Sequence, residues 1–191
     1  MRKYKIALLA TSAGCLLAFN LHAQDAPAVI LPATELENFE LQTNTIIVKG
    51  FSLVGTVTLE NNTLSVHSQE ANDVSHSQKA YGIVVELSEA SQAEAPARIS
   101  LVVDYDELDS LNGAIDYISK VTWGVTELNS FEASYTTKSG LRIIAHSDRR
   151  QSAVNTFIQF GGVPRIQVNS DQLNQLHSLI TQAKSALDAL K

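Results

Sequence analysis

Apolar and polar residues alternate with a period of two along much of the chain, which is typical of β-strands that bury one face. The clearest stretches lie near 131–137, 141–146 and 154–160, and short turn-forming runs separate them. Similar stretches run through the first half of the chain, where a polar segment over 68–79 predicts a loop. The pattern therefore predicts roughly eight strands joined mostly by tight turns.

In two segments the apolar residues change to a three–four spacing, which places them on one face of a helix. The first segment follows Asp106, and the second closes the chain. The apolar positions are Leu108, Leu111, Ile115 and Ile118 in the first and Leu173, Leu176, Ile180, Ala183, Leu187 and Leu190 in the second. Each predicted helix directly follows a predicted strand.

The two strand-to-helix units align with a constant offset of 65 residues, which pairs Leu101 with Ile166 and Asp106 with Asp171. We predict an α+β fold, an antiparallel sheet of roughly eight strands with two helices on one face. Two related halves, each a meander followed by a helix, would explain the offset. The alternative is that any strand followed by an amphipathic helix would align as well.

The first residues have the pattern of an export signal. A basic start precedes an apolar run over 6–19, which is shorter than the roughly 20 residues that span a bilayer. Ala23 then supplies the small residue that signal peptidase requires, so we predict a cleaved signal peptide over 1–23. Two alternatives stay open, a short membrane anchor and a lipoprotein modified at Cys15.

Proline residues mark 24–37 as an extended leader, and we assign 38–191 to a single α+β domain. Cys15 is the only cysteine, so the mature chain would have no disulfide and no thiol. Loss of Arg2, Lys3 and Lys5 would change the formal net charge from −6 to −9. This acidic balance argues against nucleic acid as a partner. No later segment predicts an integral membrane span in the mature chain.

An acidic cluster over 104–109 invites comparison with a calcium site, because oxygen-rich clusters bind that ion. The loop lacks the glycine turn and the distant bidentate glutamate of a calcium-binding helix–loop–helix. Hydrogen bonds from Asp104 or Asp106 to the first turn of the following helix explain these acids without a metal.

The remaining polar residues form no recognisable catalytic, metal-binding or cofactor motif. The histidines His67, His76, His146 and His177 show no zinc-ligand spacing, and no Gly-x-Ser-x-Gly elbow occurs. We therefore assign no catalytic residue, no metal ligand and no cofactor. The candidates for binding a ligand or partner are His146, Asp148, Arg149 and Arg150.

The sequence thus favours an exported protein, periplasmic or secreted, that binds a partner protein and is not an enzyme. One alternative is a carrier of a small apolar ligand, with a cavity between sheet and helices. Another is a hydrolase-type enzyme with a site assembled from loops, in which His146, Asp148 and Arg149 would take part.

Overall fold

The computed structural model of the chain describes residues 32–89, 97–148 and 152–191, which form eight strands and three α-helices. The strands are β1 (Ile47–Thr58), β2 (Asn62–Asp73), β3 (Gln78–Glu89), β4 (Arg98–Asp104), β5 (Glu132–Thr136), β6 (Leu141–Asp148), β7 (Ala153–Phe160) and β8 (Ile166–Val168). The helices are α1 (Glu35–Glu40), α2 (Leu108–Lys120) and α3 (Ser170–Asp188). The predicted α+β class and the number of strands are confirmed.

The strands form two antiparallel sheets of four. Sheet A has the order β1-β2-β3-β4 and sheet B the order β5-β6-β7-β8, so every strand pairs with its neighbour in the chain. A helix directly follows the last strand of each sheet. The two halves therefore repeat one order of elements, a four-stranded meander and a helix.

Each long helix packs mainly on the sheet of the other half. Helix α3 contacts β1, β2 and β3 of sheet A, whereas α2 contacts β5 and β6 of sheet B. The two helices also pack against each other. A single buried apolar cluster includes side chains from both sheets and both helices. The apolar stripes that the sequence predicts for the helices are the buried ones, except that Leu190 is 55% exposed.

Helix α1 lies on the opposite face of sheet A. The Thr34 side chain accepts a hydrogen bond from the Glu37 amide and caps the helix. Leu36 is buried over Gly82, where an added Cβ would come within 2.8 Å of the leucine side chain. The helix crosses the domain boundary predicted at residue 38, so residues 35–37 are helical where the sequence suggested an extended lead-in.

Strand β2 continues through much of the segment predicted as a loop. Residues 68–73 pair with both β1 and β3, and only 74–77 form the turn. The loop prediction was wrong because polar side chains here are buried. The Gln69 amide donates to Glu40 of α1, and Asp73 accepts from the backbone amides of Ser75 and His76. These partners let polar residues occupy a covered strand.

Among the helices of the described ranges, none combines the length and the apolar character needed to cross a bilayer.

Candidate interaction surface

Strand β1 is the edge strand of sheet A, and its first half extends beyond the core. It is 12 residues long, and the burial of its side chains changes along its length. Val57 near the end of the strand is 1% exposed, whereas Val48, Phe51 and Leu53 are 52%, 60% and 57% exposed. Ile46, just before the strand, is 66% exposed. The free edge of β1, residues 47–53, is therefore an apolar strand segment open to solvent.

A bulge separates the buried and exposed parts of β1. The pairing with β2 shifts between Leu53 and Gly55, so that Val54 is the extra residue. Gly55 lies against α3, and a Cβ added there would come within 2.6 Å of the Leu179 side chain. The strand beyond the bulge is thus fixed against the helix, whereas the free edge before it is not.

The two faces of the free edge differ. Phe51 and Leu53 pair with Gln69 and His67, and they project from the face of sheet A that carries α1. Across the sheet, the row that begins at Leu53 continues through His67 on β2 and Val84 on β3 to Val102 on β4. The two valines continue the apolar character of the edge on the outer face.

On the helix face, the edge borders an apolar cleft of about 330 Å³ between β1, β2 and the end of α3. Leu187 and Leu190 form its helix side, and Gly50 lies at its strand side. A Cβ added at Gly50 would meet no atom of the described residues within 4 Å. Ser68 also lines the cleft, and its buried hydroxyl has no hydrogen-bond partner among those residues.

Charges around the free edge balance one another. Lys49 is the one charged residue of β1, and its ammonium group is paired with Glu40 of α1. On β2 and β3, the Lys79 ammonium lies 3.1 Å from the Glu70 carboxylate, and this contact raises the pKa of Lys79. The two lysines beside the edge are thus paired, and Asp73, the cross-strand partner of Ile47, lies beside His76. The net charge of the whole chain is −6.

The other edge strands of the described sheets are shorter. Strands β4, β5 and β8 have seven, five and three residues. Arg98 begins β4 and Glu132 begins β5, and exposed charges of this kind discourage pairing with another chain. Strand β1 is longer than any of these edges, and its only charged residue is Lys49, which is paired with Glu40.

Two of the four sequence-based candidates, His146 and Asp148, lie elsewhere, on sheet B. His146 is exposed and Asp148 is partly buried, and both project from one face of β6 because they are two residues apart. His146 is paired across the strands with Glu132, whose carboxylate lies 2.9 Å from the Arg165 guanidinium. Arg149 and Arg150 lie outside the described residues. The assignment of these four residues to a binding site stays a prediction.

The acidic cluster after β4 is a structural junction. The buried Asp104 carboxylate accepts hydrogen bonds from the Glu35 and Leu36 amides at 2.8 and 2.9 Å, so it caps α1. It also lies 3.1 Å from the Lys138 ammonium. Asp104, followed by Asp106, raises the pKa of Lys138. The sequence predicted that Asp104 or Asp106 caps the following helix, and it could not identify α1 as the helix that Asp104 caps.

Asp73 forms a second buried acidic site, in the turn after β2. Its carboxylate accepts from the Thr45 hydroxyl, and its Oδ2 lies 2.6 Å from Nδ1 of His76. The hydrogen bond from Thr45, together with those from His76 and Ser75, lowers the pKa of Asp73 to about 2. Within the ranges that the structure describes, no three His, Cys, Asp or Glu side chains form a group that could hold a metal ion.

No protein-family model matches this sequence, and a search of curated proteins found no significantly similar sequence.

Proposed function

We propose that the chain is an exported protein-binding module, which binds its partner through the free edge of β1. The observation that carries this proposal is the exposure of apolar side chains along a long edge strand beside a well-filled core. Such an edge leaves unpaired backbone groups and apolar side chains together in water, and a partner strand or surface would cover both. Export rests on the residue pattern of 1–23 alone.

The proposal is tested by charge substitution in a matched pair of variants. Phe51→Lys places a charge on the free edge, whereas Leu128→Lys places one at another exposed apolar residue, which is 76% exposed and lies between α2 and β5. Tagged wild-type and variant chains are produced in the source cells, and co-purifying proteins are quantified by mass spectrometry. We expect Phe51→Lys to reduce the bound partner by about tenfold or more, the loss typical of an interface anchor. Equal recovery from both variants would contradict the proposal.

The carrier alternative has two supporting features, the cleft of about 330 Å³ between sheet A and α3 and a smaller cleft. The smaller cleft, of about 270 Å³, lies between the ends of the two sheets, and Leu87, Ile99 and Ile166 contribute to its lining. Its volume is at the lower limit for a small-molecule site, about 300 Å³. Native mass spectrometry of protein from the source cells would test this alternative, which requires a retained ligand mass.

A further inference from the structure

We infer that the occupant of the free edge is an extended segment of another polypeptide, with apolar residues at alternate positions and no acidic residues. It would add a fifth strand to sheet A beside β1. This inference rests on the proposed function and names the class of partner that the surface fits.

The backbone of the free edge sets the length of the segment. Among the described residues, 47–53 pair with β2 on one side only, because β1 is the outermost strand of the sheet. Seven residues of strand span about 23 Å, which matches a segment of roughly seven residues in extended conformation. Alternate N–H and C=O groups of an edge strand point away from the sheet and supply the main-chain hydrogen bonds of such an addition.

The two faces of the edge set the side-chain pattern. Consecutive side chains of an added strand would point to opposite faces. One set would lie beside Phe51 and Leu53, and the other would enter the cleft beside Gly50, next to Leu187 and Leu190. Leu187 and Leu190 make the cleft side favourable for apolar side chains, which occupy every second position of an added strand. The buried Ser68 hydroxyl offers that side one unpaired polar group.

The exposed area argues against a second copy of this chain. Ile46, Val48, Phe51 and Leu53 are each more than half exposed. Phe51 and Leu53 project from one face of the strand and Val48 from the other, so these side chains form no single broad patch. A stable dimer buries about 800 Å² per partner. Apolar side chains divided between the two faces of an edge strand are better matched to a short extended segment, which gains most of its affinity from main-chain hydrogen bonds.

Charge selects further among such segments. Two copies of this chain, each with net charge −6, would repel one another, and so would this chain and an acidic segment. The ion pairs at Lys49 and Lys79 leave no free positive charge at the edge to offset that repulsion. Neutral or basic segments are therefore preferred, and the preference should weaken as salt is raised.

The test uses three fluorescein-labelled peptides with the full chain. The first is Lys-Thr-Val-Thr-Val-Thr-Val-Lys; the second replaces both lysines with glutamate; the third replaces every valine with proline, which cannot form strand hydrogen bonds. Fluorescence anisotropy should give saturable binding of the first peptide, with half-saturation on the order of 10 μM. We expect the glutamate peptide to bind about threefold or more weakly at low salt. The proline peptide should not bind.

Backbone NMR shifts locate the binding, and variants separate this inference from the proposed function. The first peptide should shift the amide resonances of residues 47–53. Phe51→Lys should weaken the binding of this peptide, whereas Leu128→Lys should not.

Absence of binding, or shifts elsewhere, would overturn the inference even if the partner captured from cells still depends on Phe51. A dimer in light scattering that Phe51→Lys dissociates would also overturn it, while leaving protein binding through β1 intact. Loss of any Phe51-dependent capture would instead overturn the proposed function.

Discussion

Asp73 is a residue whose protonation should affect the stability of the fold. Its pKa of about 2 lies below the ordinary value of 3.8, chiefly because the Thr45 hydroxyl donates to the charged carboxylate. A carboxyl group whose pKa is lower in the folded chain than in the unfolded chain stabilises the folded state at pH values above its unfolded pKa. This contribution is lost as the pH falls through the folded pKa.

We therefore expect the free energy of unfolding to decrease as the pH falls from about 4 to about 2, with part of that decrease due to Asp73. Urea unfolding at several pH values checks this expectation. Asp73→Asn should reduce the slope of the free energy of unfolding against pH between about pH 4 and pH 2. Glu60→Gln, in the exposed turn before β2, is the control and should leave this slope unchanged. An identical slope in wild type and Asp73→Asn would contradict the assignment.

At the scale of elements, Asp104 joins α1, β4 and the turn between β5 and β6. Its carboxylate is 4% exposed and accepts from two α1 amides and from Lys138. Asp106 also pairs with Lys138, at 3.2 Å, but its side chain is 62% exposed. The two acids share Lys138 as a partner, and Asp104 differs from Asp106 in its burial and in the two α1 amides that it caps.

Asp104→Ala should lower the free energy of unfolding by about 3 kcal/mol, because it leaves buried donors unsatisfied. Asp106→Ala should cost less than about 1 kcal/mol, since an exposed ion pair contributes little. Chemical denaturation measures both losses. Faster hydrogen exchange at the Glu35 and Leu36 amides of Asp104→Ala would show that α1 is released. Similar losses in the two variants would rule out this role for Asp104.

Sequence periodicity predicted the elements that bury one face against the core. It succeeded for α2 and α3, whose leucines and isoleucines form continuous buried stripes. It failed for the second half of β2, because Ser68, Gln69 and Asp73 are polar yet buried. It also missed α1, whose six residues are too few for a helical period. The capping box of Thr34 and Glu37 is a local signal of this helix that periodicity does not register, and the additional cap from Asp104 is far away in sequence.

At the scale of the whole molecule, each half depends on the other, because each long helix packs on the sheet of the other half. Helix α2 covers β5 and β6, and α3 covers β1 and β2. A fragment that ends after α2 would expose the face of sheet A that α3 buries. The remaining fragment would lack the helix that covers sheet B. The apolar core is thus shared between the halves.

We expect that fragments 32–121 and 122–191 do not fold separately, but form one cooperatively unfolding complex when mixed. Circular dichroism and thermal unfolding of each fragment and of the mixture provide the check. Cooperative unfolding of either fragment by itself would show that the shared core is not required.

The candidate surface could not be derived from the sequence, because its exposure depends on how the whole molecule is assembled. The alternation of Phe51 and Leu53 with polar residues predicts a strand that buries one face, and the strand itself was predicted correctly. Whether its apolar side chains are buried depends on strand order and on where α3 ends, which are long-range properties. His146, Asp148 and the two arginines after them were chosen for the chemistry of their side chains, which carries no information about free edges.

Site-specific photo-crosslinking in the source cells tests the role of the β1 edge most directly. A benzoylphenylalanine is placed at Phe51 in one variant and at Leu128 in a second, since both are large exposed apolar residues. We predict a discrete crosslinked protein of defined mass from position 51, and none from position 128. The same products from both positions, or no product from position 51, would contradict a partner bound at the free edge of β1.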